Sequence, residues 1–444
     1  MINNILVKLG DNLNYRNILS NTSWLFFEKI FRMIVTLFIG IWVARYLGPE
    51  NFGTLNYAQS TVTLFMTVAI LGLDSIVVRE LVGNNKNSDK IMGTAFVLMI
   101  VGSIVSILSI IILNFILNQA YSNAFMLSLI ISAGVIFQPL NVIDYWFQAK
   151  VRSKYVVIVK SISFIIISIL KVILLVIHAN LLMFGLVISL ELFLSAIGLV
   201  TIYCKQKANP FSWTYSWKYA KEMLLDSWPL LISSLAIILY MRIDQIMLGK
   251  MSTERELGLY SAAVKIAEMW YFIPTVIIST MFPYLVKEKN NHKRLLSILQ
   301  KVFDFLTLIS IVAGVFVTLF SKKIMILLYG QDYANGSIML SIYIWIGVFV
   351  SLGMARSSYL KVINKNKILL IASLLGCISN VALNVVLIPK YGGLGATYAS
   401  LFSYWLQAHG ICFFVSRTRP IGIMMFKAML IPFRWNYIIK FLKK

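Results

Sequence analysis

"ARYLGPENFGTLNYAQS", residues 44–60, decides how the chain folds, because it sets Gly48, Pro49, Glu50, Asn51 and Gly53 between two long apolar runs. Pro cannot donate a backbone hydrogen bond to a continuing helix, and Gly accepts the left-handed turn that ends one. Gly48-Pro49 therefore closes the first run, Gly53 supports a sharp reversal, and the next run begins at once. The stretch reads as a tight helical hairpin.

Outward from this hairpin the chain is apolar almost throughout. Of its 444 residues 59% are hydrophobic and 13% charged, and mean hydropathy is +0.83. A soluble domain is closer to half apolar and a quarter charged. The excess falls into segments of roughly 20 to 25 residues, the length that crosses about 30 Å of hydrocarbon as a helix. Runs such as Ile100 to Leu117 and Phe164 to Ile177 lack the wet face of an amphipathic soluble helix. The expectation is an all-α, polytopic membrane protein of about twelve transmembrane helices.

The first residues, "MINNILVKLGDNLNYRNILSN", have no continuous apolar core and no small-residue cleavage site, so they read as a cytoplasmic amphipathic segment rather than a signal peptide. Cys204, Cys377 and Cys412 show no pairing or metal spacing and read as small apolar residues. Formal charge is +23. With the N-terminus in the cytoplasm, inside segments carry about 26 Lys and Arg and outside loops about 6, which sets both termini inside. The cations flank spans and no soluble domain carries a groove, so nucleic acid is excluded as a partner. The basic tail, residues 417–444, is expected on anionic membrane lipid, or to hold another partial span.

The halves of the chain resemble each other. Leu47-Gly48 and Gly53 to Tyr57 match Leu248-Gly249 and Gly258 to Tyr260, offset by about 201 residues. "FQAKVRSKYVVIVKSIS" from Phe147 matches "YLKVINKNKILLIASLL" from Tyr359, and Gly185 matches Gly395. An even number of spans per half makes two parallel six-helix repeats. The expected organisation is an N-terminal segment (1–21), a first bundle (22–204), a cytoplasmic linker (205–223), a second bundle (224–416) and the tail (417–444).

The same residues carry a family likeness. The opening stretch with "LGLDSIVVRE" (Leu71 to Glu80), "DSWPLLISSLAIILYMRIDQIMLGKMSTERELGLYSAAVKIAEMW" (Asp226 to Trp270) and "IPKYGGLGATYAS" (Ile388 to Ser400) resembles the polysaccharide flippases of the multidrug/oligosaccharidyl-lipid/polysaccharide exporter superfamily. The resemblance implies two six-helix bundles around a central cavity, alternating access, and transfer of an undecaprenyl-pyrophosphate-linked oligosaccharide across a bacterial plasma (inner) membrane for O-antigen or capsule assembly. It also implies a polysaccharide polymerase and chain-length proteins as partners.

Physical chemistry adds a test. Such a cargo needs a wet, cationic cavity, and a charge at the bilayer centre costs at least about 2.5–3.5 kcal/mol unless it faces water or a partner. Deep cations are present: Lys29, Arg32, Lys171, Arg242 and Lys265 are the expected substrate-binding residues. Glu28–Arg32 and Lys265–Glu268 share helix faces and could instead be structural pairs, and Glu191 is a partner open to Lys171. Glu28, Asp244 and Glu268 are expected to couple transport to an H⁺ or Na⁺ gradient, with no other cofactor. Lys160, Lys301 and Arg356 read as snorkelling residues, and Asp74 and Asp144 as helix caps or loop contacts. Tyr145, Trp146, Tyr271, Phe282 and Tyr284 read as interface anchors, and Pro139, Pro229, Pro274 and Pro283 as bends within spans.

Three other functions compete with this reading. A polymerase should carry a long outside loop, and the longest here is about 15 residues, around Ser321 to Asn335; His178, His292 and His409 are scattered and no catalytic motif is present. The expectation is that the chain is no enzyme. A drug/cation exporter of the same superfamily should present an acidic cavity. A peptidoglycan-precursor flippase would share the cationic one.

Overall fold

The computed structural model describes residues 13–83, 87–117, 122–206, 208–415 and 418–431, with the side chains of 13–29, 117 and 366 excepted. Of residues 1–21, expected as an amphipathic segment, 1–12 lie outside them and 13–21 are the helical start of the first run, their side chains excepted. Ten apolar helical runs among the described residues are long enough to cross a membrane. Two of these runs break at a glycine and are each two helices. Gly48 breaks α1 (Leu13–Ile70) at φ 70°, ψ 171°, and Gly392 breaks α14 (Asn366–Trp405) at φ 54°, ψ −131°. Both values lie where a Cβ is strained, so the hairpin expected at Gly48-Pro49 is there, and its counterpart follows Pro389. The other elements are α2 (Asp74–Gly83), α3 (Ser88–Leu117), α4 (Asn123–Ala133), α5 (Val142–Ala149), α6 (Ser153–Val176), α7 (Leu181–Lys205), α8 (Trp217–Met251), α9 (Glu254–Met269), α10 (Phe272–Lys287), α11 (His292–Tyr329), α12 (Gly336–Tyr343), α13 (Ile346–Val362), α15 (Ile411–Phe414) and α16 (Arg419–Met429). No strand occurs among the described residues.

The helices form two compact units: one of residues 1–46 and 58–238, the other of 47–57 and 239–444. Both differ from the expected bundles. The tip of the first hairpin belongs to the second unit, and the division falls inside α8 rather than at 205–223. The first unit buries Leu73, Ile91, Met99, Phe147 and Tyr203 in its core. Tyr145 and Trp146, expected as interface anchors, are 7% and 6% exposed and pack in that core. The linker is tied down there too. Thr214 N–H donates to the Asp89 carbonyl at 3.2 Å, and Ser216 N–H to Thr94 Oγ1 at 3.0 Å. The Trp213 ring sits between Phe96 and Tyr203, 5.4 and 5.7 Å away.

The second unit shows what Gly53 and Gly258 do. Neither has positive φ, so Gly53 does not make the reversal expected of it. A Cβ on Gly258 would overlap the Pro49 carbonyl, and one on Gly53 would fall 2.9 Å from the Gly258 nitrogen. The two glycines let helix backbones touch, which any side chain would prevent. Gly249 lies against the Tyr57 ring for the same reason, with 2.6 Å left for a Cβ.

The second core, built on Leu295, Phe303, Leu352 and Met425, takes in part of the basic tail. Residues of α16 dock by their apolar face, with Gln300 Nε2 donating to the Met424 carbonyl at 3.1 Å. One face of Arg419–Met429 thus packs on protein, while Ile423 and Phe426 stay exposed, and residues 432–444 lie outside the described ones. Arg356 does not snorkel; it is 1% exposed. It donates to the Gln407 and Ala408 carbonyls, both at 2.8 Å. Those carbonyls belong to a π-helical turn, Leu406–Gly410, whose widened ladder leaves acceptors for a buried guanidinium to satisfy.

Candidate functional site

The span Asn123–Ala149 leaves the α form half-way. Gly134–Asn141 is a 3₁₀ helix of 8 residues around Pro139, longer than such turns usually run. Pro139 brings no amide hydrogen to the ladder, which accounts for the break expected there. Non-α backbone at membrane depth persists where protein or a watery cavity covers it. Two cavities flank this segment within the first unit. One of about 490 Å³ is lined by Asp74, Gln138, Asn141, Asp144, Gln148 and Lys160 among others. The second, about 340 Å³, is lined by Arg32, Gln138, Asn141, Lys160, Glu191 and Ser195 among others. Gln138, Asn141 and Lys160 serve both. Side chains three apart eclipse on a 3₁₀ helix, so Gln138 and Asn141 stand side by side, with Asn141 Nδ2 donating to Gln138 Oε1 at 2.9 Å.

Four of the five charged side chains described on these walls form two pairs. Arg32 Nη1 meets Glu191 Oε1 at 2.7 Å, its Nη2 donates to the Lys160 carbonyl at 3.3 Å, and its guanidinium lies 4.5 Å from the Phe164 ring centre. Lys160 bridges to Asp144, whose other oxygen accepts from Gln148 Nε2 at 2.9 Å. The Arg32 and Glu191 side chains are 33% and 24% exposed and those of Lys160 and Asp144 31% and 12%, so both pairs sit in walls that water reaches.

The second unit holds a different cluster. Asp244 is 3% exposed. Asn384 Nδ2 donates to its Oδ1 at 2.6 Å, and the Tyr260 hydroxyl to its Oδ2 at 2.8 Å, while Ser400 donates to the same oxygen. Asn384 Nδ2 also donates to Asn380 Oδ1 at 3.0 Å. Asn384 Oδ1, buried beside this group, has no hydrogen-bond partner. Two residues before Asp244, Arg242 reaches Glu268 at 3.6 Å. A buried carboxylate that accepts from two hydroxyls and an amide N–H is a group able to exchange a proton or a cation. No group of three His, Cys, Asp or Glu side chains able to hold a metal occurs among the described residues.

The expected site residues are thus divided. Arg32 is at the cavities, paired with Glu191 and not read from its own helix face; the side chains of Glu28 and Lys29 lie outside the described residues. Lys171 lines neither cavity, although the charges of Glu191 and Arg32 reach it. Lys265 lies 4.4 Å from the Phe52 ring centre, and Glu268 bridges to Arg242, the partner that helix spacing did not suggest. Lys160 and Asp144, read as a snorkelling residue and a cap, form a bridge on a cavity wall instead.

Comparison with known proteins now bears on this geometry. The family model described as "polysaccharide biosynthesis protein" matches residues 18–289, well over half of the chain. The chain belongs to that family. A second family model, MatE, matches residues 229–386. A Staphylococcus aureus protein named capsular polysaccharide biosynthesis protein CapF is 22% identical over 89% of this chain and 99% of its own length. The Haloferax volcanii protein named probable low-salt glycan biosynthesis flippase Agl15 is 25% identical over 45% of this chain, a match that spans 44% of that relative. Among solved structures, the lipid II flippase MurJ in an inward closed conformation superposes with TM-score 0.72 at 19% identity, over 91% of this chain and 90% of that one. An inward-facing multidrug-resistance MATE transporter superposes with TM-score 0.71 at 15% identity, over 88% and 95%. At these identities the likeness shows the fold, that of polytopic membrane transporters.

In this member of the family, composition alone could not single out Gln138, Asn141, Asn384 or Ser400. A lone amide or hydroxyl in an apolar span has many structural uses, and each of these acquires meaning only from partners far away in sequence. Pro139 was the one local signal pointing at the first cluster.

Proposed function

We propose that the chain transfers an undecaprenyl-pyrophosphate-linked oligosaccharide unit from the cytoplasmic to the outer leaflet of a bacterial plasma membrane by alternating access, supplying O-antigen or capsule assembly. The observation that carries this reading is the pair of wet, charge-bearing cavities around a broken helix inside a membrane-spanning unit. Sugar and phosphate cannot cross hydrocarbon bare, since each polar group stranded there costs several kcal/mol. Cavity walls bearing Arg32, Lys160, Glu191, Asp144 and carboxamides offer the sugar hydroxyls replacement partners at that depth. Family membership and a full-length relative named for capsule biosynthesis support the polysaccharide pathway over a drug exporter.

The coupling role goes to the second unit. Asp244, sealed by neutral donors, and Glu268, bridged to Arg242, are the residues that bind and release H⁺ or Na⁺ as access alternates. A polymerase and chain-length proteins take the product at the outer leaflet. Both termini are cytoplasmic on this reading, as the distribution of Lys and Arg supports.

Deletion of the gene tests the reading. The expected result is accumulation of the complete lipid-linked oligosaccharide on the cytoplasmic leaflet with loss of surface polysaccharide. Normal surface polysaccharide, or accumulation of a peptidoglycan precursor instead, overturns it. In vesicles, collapsing the H⁺ or the Na⁺ gradient should slow transfer; indifference to both removes the coupling role.

A further inference from the structure

The lining of the first unit's cavities is a poor match for a diphosphate. Its acids are Asp74, Asp144 and Glu191, and its bases Arg32 and Lys160. Among the described side chains acids outnumber bases by one, and each base already faces a carboxylate. A diphosphate entering there would have to compete with those carboxylates for their cations. Separating either pair leaves its carboxylate without its cation, at a cost moderated by the pair's partial exposure.

The lining fits a neutral polyol well. A sugar hydroxyl is one donor and two acceptors, and so needs both kinds of partner close together. Carboxamides supply both from one side chain, and Gln138, Asn141 and Gln148 line these cavities. The ion pairs serve the same end. A carboxylate held by a cation keeps a fixed orientation and still has lone pairs for hydroxyl donors, and bonds to it are among the stronger ones. Preorganised partners lose less freedom when the ligand arrives. The 3₁₀ segment sets Gln138 and Asn141 on one face between the two cavities, so adjoining sugar residues could be read from both sides. Cavities of about 490 and 340 Å³ fall within the range of small-ligand sites.

We propose that the double cavity around Gly134–Asn141 is a carbohydrate subsite: it binds the neutral, hydroxyl-bearing sugar residues of the cargo through Gln138, Asn141 and Gln148, and it does not bind the diphosphate. This rests on the cargo being a lipid-linked oligosaccharide. It also relocates Arg32, expected as a phosphate ligand, to the role of holding Glu191 in place.

The test uses the full chain in lipid nanodiscs. The probes are the host's intact lipid-linked oligosaccharide, the oligosaccharide freed from it by mild acid, and inorganic pyrophosphate, with binding followed by calorimetry. The wild-type chain should bind the freed oligosaccharide saturably, and pyrophosphate should not displace it. Gln138→Ala and Asn141→Ala should each weaken that binding about tenfold, a loss of about 1.4 kcal/mol, with melting midpoints matching the wild type. Gln148→Ala, at the mouth of α5, should weaken it less. Displacement of the oligosaccharide by pyrophosphate, or unchanged binding in all three variants, overturns the proposal. The competition needs only the wild-type chain, so it decides the matter even where a variant fails to fold. If the wild type binds and transfers the intact unit while the freed sugar fails to bind, this subsite is wrong and the flippase reading stands. If the intact unit neither binds nor crosses, the flippase reading itself fails.

Discussion

In the first unit two ion pairs stand in the cavity walls, Arg32 with Glu191 and Lys160 with Asp144. In the second, Asp244 takes its hydrogen bonds from Tyr260, Asn384 and Ser400 and is sealed from solvent. The two arrangements suit different work. A paired carboxylate in a wet wall keeps its charge and its direction, and can meet a polar ligand without changing state. A sealed carboxylate held by neutral donors is costly to keep charged, so the arrival of a proton or a cation changes the energy of its surroundings. The first arrangement is built to hold something and the second to switch.

The second unit also encloses a piece of chain from the first hairpin, and the largest effect is expected where that piece is clamped. Gly258→Val drives a side chain into the Pro49 carbonyl. Overpacking of this kind typically costs about 1–3 kcal/mol, and here the obstacle is backbone that no rotamer change relieves. The expected outcome is the lowest melting midpoint of the variants described here, with transfer lost; a midpoint equal to the wild type's would mean that the clamp is dispensable.

A smaller effect separates the two kinds of charge. Glu191→Ala removes the carboxylate that meets the Arg32 guanidinium and should cost about 1–3 kcal/mol, reduced by the partial exposure of the pair. Adding Arg32→Ala should return part of that loss, a coupling that a double-mutant cycle in thermal or chemical unfolding reads directly. Strict additivity would show that the pair is no unit. Asp244→Asn should behave in the opposite way. An amide of the same shape keeps most of the cluster and no longer buries a charge, so stability should hold within about 1 kcal/mol while stimulation of transfer by an ion gradient disappears. Lys265→Gln removes a cation over the Phe52 ring and should lower the unfolding free energy by about 0.5–1 kcal/mol.

These residues also mark how far the sequence could be read. The spans and both hairpin breaks were legible, because hydropathy at this length admits only helices and because Gly48-Pro49 and Pro389 with Gly392 interrupt them locally. Gly53 and Gly258 were legible as special but not as a contact. Turn chemistry is local, whereas a close approach needs a partner about 200 residues away. Charges judged within their own helix were misread for the same reason: Lys160 bridges to a carboxylate 16 residues earlier, and Arg32 to one 159 residues later. Arg356 resembled a snorkelling residue until the π-turn at Leu406–Gly410 supplied its acceptors. Asp244 was found from its depth alone, but the amides and hydroxyls that make it a switch carry no charge to announce them.

The most direct test is transfer of the lipid-linked oligosaccharide in proteoliposomes, measured with and without an imposed H⁺ or Na⁺ gradient for the wild type, Gln138→Ala and Asp244→Asn. The account predicts that Gln138→Ala slows transfer under every condition yet keeps the wild type's ratio of driven to undriven rate, whereas Asp244→Asn brings that ratio to one. A ratio unchanged by Asp244→Asn, or abolished equally by both substitutions, would contradict the division of labour between the two units.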